Sequence, residues 1–135
     1  MRAKLFCGAA AISMLLAALP AAAHHSIAAE FDQNKPVKMR GVVTSMQWSN
    51  PHGWLYLDVK DADGTVAHWG FELAGLNVLY RQGWRKEDLP AGTELIVEGF
   101  LSKTNPRLGN SQSITLPDGR RLFSGPPPTK GESGP

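Results

Sequence analysis

The chain has 135 residues, 14 Lys+Arg against 12 Asp+Glu, a formal net charge of +2 with His neutral, and one cysteine. That length bounds it to one small domain. Arg2 and Lys4 fall in an N-terminal leader, so the rest is close to neutral, which excludes the clustered positive charge of phosphate-dominated nucleic-acid binding.

The leader comes first in chain order. Arg2 and Lys4 form a basic n-region, and Leu5 to Leu19 is an apolar run too short to span a bilayer comfortably. Pro20 breaks the run, and Ala21-Ala22-Ala23 offers the small residues a signal peptidase accepts. The pattern predicts a secretory signal peptide over residues 1–23, a periplasmic or secreted mature protein, and no membrane span after its removal. A lipoprotein would need Cys just after the apolar run, whereas Cys7 lies early and leaves with the leader. The mature chain is then expected to have no disulfide, thiolate nucleophile or Cys-based metal site.

Residues 24–36 read as an N-terminal arm ending in the turn signal Asn34-Lys35-Pro36. Val37 to Trp48 is β-branched and apolar and predicts a long first strand, with Gly41 as its bulge or bend. Ser49-Asn50-Pro51-His52-Gly53 is a loop signal. Trp54 to Val59 alternates, placing Leu55, Leu57 and Val59 on one face and Trp54, Tyr56 and Asp58 on the other. Asp61-Ala62-Asp63-Gly64 predicts a hairpin turn. In the returning strand, Thr65 to Leu73, the residues Ala67, Trp69, Phe71 and Leu73 oppose Val66, His68, Gly70 and Glu72. Gly75 to Gln82 predicts a short helix stopped by Gly83, and Trp84 plugs one end of the domain. Thr93 to Leu101, Ser111 to Leu116 and Arg120 to Phe123 are the remaining strands. From Gly125 the sequence lacks apolar residues and predicts a disordered Pro/Gly-rich tail over 125–135.

Three strands, a helix, then two or three strands give a mainly β fold over residues 37–124. The expectation is a small OB-fold-like antiparallel barrel of five to six strands, with one short helix between strands 3 and 4. Leu55, Leu57, Trp69, Phe71, Ile96 or its neighbours, and Leu116 are its expected interior.

Ala23-His24-His25-Ser26, Ala29-Glu30-Phe31-Asp32, Gly41-Val42-Val43-Thr44, Trp48-Ser49-Asn50-Pro51-His52, Arg81-Gln82-Gly83-Trp84 and Thr115-Leu116-Pro117-Asp118-Gly119-Arg120 resemble a family of small exported bacterial proteins, the domain-of-unknown-function family 6152. The likeness runs from His24 to Phe123. It implies an exported, single small domain with no assigned activity, and it brings no catalytic residues.

Two patterns carry chemistry. The first is the histidines: His24, His25, His52 and His68. With cleavage after Ala23, the His24 amine and ring can chelate copper, and His52 or His68 would supply a third nitrogen. With cleavage after Ala22, the start Ala23-His24-His25 offers amine, amide and imidazole nitrogens for square-planar Cu(II) or Ni(II). Against both stands an arm-end His pair that does nothing specific. The second pattern is the loop Asn50-Pro51-His52 between Trp48 and Trp54, with Tyr56 beyond. A loop stiffened by Pro51 and flanked by aromatics suits stacking of a planar or cyclic ligand. The competing reading has Asn50 and His52 capping a barrel corner, Trp48 filling the core, and the Trp54/Tyr56 face covered. No G-x-S-x-G, phosphate loop or His-Glu-x-x-His occurs. The leading expectation is therefore a non-enzymatic periplasmic module that binds an unidentified ligand or protein, the alternative a copper-handling protein.

Overall fold

The structure, a computed structural model, describes residues 27–125. The leader, His24, His25 and residues 126–135 lie outside them. A one-turn helix α1 (Ile27–Glu30) leads into β1 (Phe31–Gln47), β2 (His52–Lys60) and β3 (Val66–Ala74). Helix α2 (Leu76–Arg81) and a 3-10 turn (Lys86–Asp88) follow, then β4 (Glu94–Ser102), β5 (Leu108–Thr115) and β6 (Arg121–Phe123).

The hairpin β2–β3 follows from its turn. Gly64 takes φ 88°, a left-handed conformation that glycine adopts without steric cost. The Asp61 amide donates to the Thr65 carbonyl at 2.8 Å. Asp63 accepts from both the hydroxyl and the amide of Thr65, and these bonds hold its carboxyl below the ordinary aspartate pKa. From that turn the register runs without interruption from Lys60↔Val66 to His52↔Ala74.

β1 has 17 residues and serves two neighbours, β4 along its first part and β2 along its second. It starts at Phe31, six residues before the expected first strand, so the end of the predicted arm is strand. Phe31 pairs with Ser102 and is buried. The turn signal around Asn34 appears as a register shift between Asp32 and Pro36 instead of a chain reversal. The predicted irregularity at Gly41 sits between Val43 and Ser45 instead. Gly41 is regularly paired, and a Cβ there would come within 3.1–3.2 Å of Val59 and its neighbours, so it lets β1 cross closely over β2.

The hydrogen-bonded order is β3-β2-β1-β4-β5-β6, with a further pairing of β3 to β5. Following the pairings from β1 through β2, β3, β5 and β4 returns to β1. The β3–β5 pairing is parallel (Gly70↔Leu108, Phe71↔Gly109, Glu72↔Asn110), a departure from an all-antiparallel expectation. After β6 the chain stays pinned: Ser124 accepts from the Ala74 amide at 2.9 Å and donates its own to Gln112 at 2.9 Å. Gly125, expected to begin the free tail, is buried, and its carbonyl accepts from Gln82 Nε2 at 2.9 Å.

Alternation decides the core. Leu55, Leu57 and Val59 of β2 and Phe71 and Leu73 of β3 point inward. In β4 the inward residues are Leu95 and Val97, which leaves Ile96 only partly buried. Leu116 is buried as expected. Trp69 is half-buried and stacks on Phe71 with centroids 6.0 Å apart, under the Arg107 guanidinium at 5.4 Å. One end is plugged by Leu79, Leu89 and Trp84, whose indole Nε1 donates to the Phe123 carbonyl at 2.7 Å. Among the described residues no helix is long and apolar enough to cross a membrane.

Candidate functional site

The β1–β2 connection is clamped to the start of α2. Ser49 Oγ donates to the His52 carbonyl at 2.7 Å, and the Leu76 amide donates to the Ser49 carbonyl at 3.1 Å. The Asn50–Pro51 bond is cis. Gly75 lies so close beneath that a Cβ there would stand 2.5 Å from the Pro51 carbonyl oxygen and 2.7 Å from Asn50 Oδ1. Glycine is the residue that permits this approach.

The structure separates the two tryptophans that flank the loop. Trp48 packs against the core, stacks on Tyr80 at 6.0 Å and meets Trp84 edge-on at 6.3 Å. It belongs to the plugged end, so it does not join Trp54 in a ligand face. Asn50 is exposed at the loop tip.

The outer face of β2–β3 carries the other expected residues. Along β2 these are His52, Trp54, Tyr56 and Asp58, opposite Ala74, Glu72, Gly70 and His68. Trp54 is half-buried and Tyr56 is exposed, so the described residues leave part of this face open. Tyr56 lies over Gly70: a Cβ at Gly70 would sit 3.5 Å from its ring. The missing side chain on β3 gives the ring a flat seat on backbone, as aromatic rescue of strand glycines does.

A histidine–carboxylate pair stands at each end of this strip. His52 Nδ1 is 2.8 Å from Glu72 Oε1, and the Glu72 side chain is only 9% exposed. His68 Nδ1 contacts Asp58 Oδ1 near the hairpin turn, where His68 is 84% exposed. In each ring Nδ1 is engaged by a carboxylate, and Nε2 is the second ring nitrogen. Spacing along β3 does not reveal these pairs, because it puts His68 and Glu72 about 13 Å apart and says nothing of β2. Counting back from the Asp61–Gly64 turn would have put Asp58 opposite His68 and Glu72 opposite Trp54.

The same register keeps the two histidines apart. His68 sits across from Asp58, six residues along β2 from His52, a separation of about 20 Å at strand rise. At most one of them can join an N-terminal chelate. Among the described residues no group of three or more His, Cys, Asp or Glu is placed to hold a metal ion.

Residues 11–111 match the model of a family of unknown function, DUF6152. The chain belongs to that family. The matched region of this DUF6152 chain contains both histidine–carboxylate pairs and the Trp54/Tyr56 strip, and ends within β5. No curated protein and no solved structure matches the chain.

Proposed function

We propose that this DUF6152 chain is an exported, non-enzymatic binding module built on an OB-type barrel. The closed circuit of strand pairings and the helix between β3 and β4 support the OB reading, and in such barrels the face of strands 2–3 and the adjoining loops hold the ligand. The observation that carries the proposal is the outer face of β2–β3, part of which the described residues leave open. Trp54 and Tyr56 supply stacking surface, and His52–Glu72 and His68–Asp58 supply oriented polar groups at its ends. The clamped Ser49–Gly53 loop forms one rim.

Titrating isotope-labelled mature protein with a library of aromatic and cyclic fragments tests this directly. The expected result is amide shifts concentrated on residues 52–58 and 68–72, lost in Trp54→Ala. Hits confined to other surfaces would refute the assignment. Export is tested separately by N-terminal sequencing of periplasmic material, expected to begin at Ala23 or His24; retained Met1 on cytoplasmic protein would contradict it.

One feature supports the copper reading as a second proposal. A carboxylate behind Nδ1 is how protein histidines are commonly prepared for metal ligation through Nε2. Copper would then be held by the His24 amine and ring, with His25 and one of His52 or His68. Cu(II) titration of processed protein should show spin-resonance parameters that change in either His52→Ala or His68→Ala. Indifference to both substitutions would leave only a chelate at the chain terminus.

A further inference from the structure

A second polar constellation lies away from the β2–β3 face, where β1, β4, β5 and β6 run side by side. Lys38 of β1 pairs with Glu98 of β4 at 3.1 Å, on Oε1. Arg121 of β6 pairs with the other oxygen, Oε2, through Nη2 at 2.9 Å. Ser113 of β5 sits between them: its hydroxyl donates to Glu98 Oε2 at 3.3 Å and accepts from Arg121 Nε at 3.1 Å and Nη2 at 2.9 Å. Two cations therefore converge on one carboxylate, leaving one positive charge in excess. Arg121 Nη1 donates to no described residue, and Lys38 keeps two ammonium protons beyond its single ion pair.

These groups line an open groove of about 430 Å³ whose other walls are Pro36, Val37 and Phe100. The groove pairs an apolar lining with a few convergent polar groups, as small-molecule sites do. Two strand irregularities shape it. The register of β1 shifts between Asp32 and Pro36, and that of β4 against β5 shifts between Glu98 and Gly99. The second shift turns Gln112 and Ser113 into the groove lining together. Bulges of this kind re-aim side chains and are frequent beside functional sites.

We propose that this groove binds a small anionic amphiphile, a carboxylate carrying a medium-length alkyl chain. The carboxylate is met by Lys38 and Arg121, and the chain lies along Pro36 and Phe100, which share the Lys38–Glu98 face of β1 and β4. Charge decides the class. A cationic ligand would face the excess positive charge, and a neutral one would leave the spare guanidinium and ammonium donors unused. Glu98 already occupies these cations and acts as an internal competitor. Lys38 and Arg121 hold its carboxyl below the ordinary glutamate value, with the Lys38 hydrogen bond the largest cause and burial opposing it.

Calorimetric titration with octanoate, acetate and octyltrimethylammonium tests this. Octanoate should bind, acetate should bind at least about tenfold more weakly for want of the chain, and the cation should not compete. Arg121→Gln and Lys38→Gln should each weaken octanoate about threefold to tenfold, the scale of a partly exposed charge-assisted contact. Glu98→Gln should strengthen it by a similar factor, because it removes the competitor while keeping the shape. A merely structural network would lose binding in all three variants. Trp54→Ala should leave octanoate binding unchanged, which separates this groove from the β2–β3 face. Should Glu98→Gln not fold, weakening of octanoate by added salt in the wild type decides the ionic part. Absence of millimolar binding, equal binding of the cation, or weaker binding in folded Glu98→Gln would overturn the proposal.

Discussion

Strands β2 and β3 present two faces that obey different rules. Inward, Leu55, Leu57, Phe71 and Leu73 are each at most 1% exposed and held by burial, which is non-directional. Outward, the same strands carry Trp54, Tyr56 and two histidine–carboxylate pairs, held by particular cross-strand partners. Burial of large apolar side chains is worth several kcal/mol per residue, whereas exposed ion pairs are worth a fraction of one. The inner face therefore determines whether the domain folds. The outer face, the buried Glu72 apart, contributes little to stability.

Substitutions sharpen that contrast. Phe71→Ala should cost about 3–5 kcal/mol in urea denaturation, since it empties the centre of the core. A wild-type-like midpoint would mean that the interior is placed wrongly. Gly109→Ala probes the same core from the other side. Its Cβ would come 2.5 Å from the Phe71 ring, and the overpacking should cost about 1–3 kcal/mol, relieved in part by Phe71→Leu.

On the outer face the largest stability effect belongs to the buried partner. Glu72→Ala should cost about 1–3 kcal/mol, because it strips His52 of a hydrogen-bond acceptor in a mostly buried setting. His68→Ala, at the exposed pair, should change the midpoint by less than about 0.5 kcal/mol. Equal losses from the two would erase the difference between the ends of the strip. Trp54→Ala should cost little stability and abolish the fragment-induced shifts.

Acid titration distinguishes the β2–β3 face from the groove beyond it. Glu98 has its pKa lowered from 4.5 in the folded state, so its contribution is complete above that value and fades as pH falls through the folded pKa. Glu98→Gln should be less stable than wild type at neutral pH, and the gap should close progressively below about pH 4.5. A gap that stays constant down to pH 2 would show that the charge contributes nothing.

Much of this was legible in the residues. The alternation of Leu55, Leu57 and Val59 against Trp54, Tyr56 and Asp58 is a local property, and a period of two fixes which side chains share a face. The turn at Asp61–Gly64 is equally local, and its geometry sets the β2–β3 register from one end to the other. Asp58 opposite His68 is therefore legible in the sequence once the register is counted from the turn.

Other features were decided only by the fold. The parallel pairing of β3 with β5, the return of Ser124 between Ala74 and Gln112, and the burial of Trp48 against Tyr80 and Trp84 join residues far apart in the chain. So does the meeting of Lys38, Glu98, Ser113 and Arg121 from four different strands. No local period or turn encodes such a meeting, since it depends on how the circuit of strands closes and on where the two register shifts beside the groove fall. Sequence alone determined which faces are apolar, because that pattern repeats every second residue. The tertiary structure decided which polar groups become neighbours, because their partners are brought in by closure of the sheet.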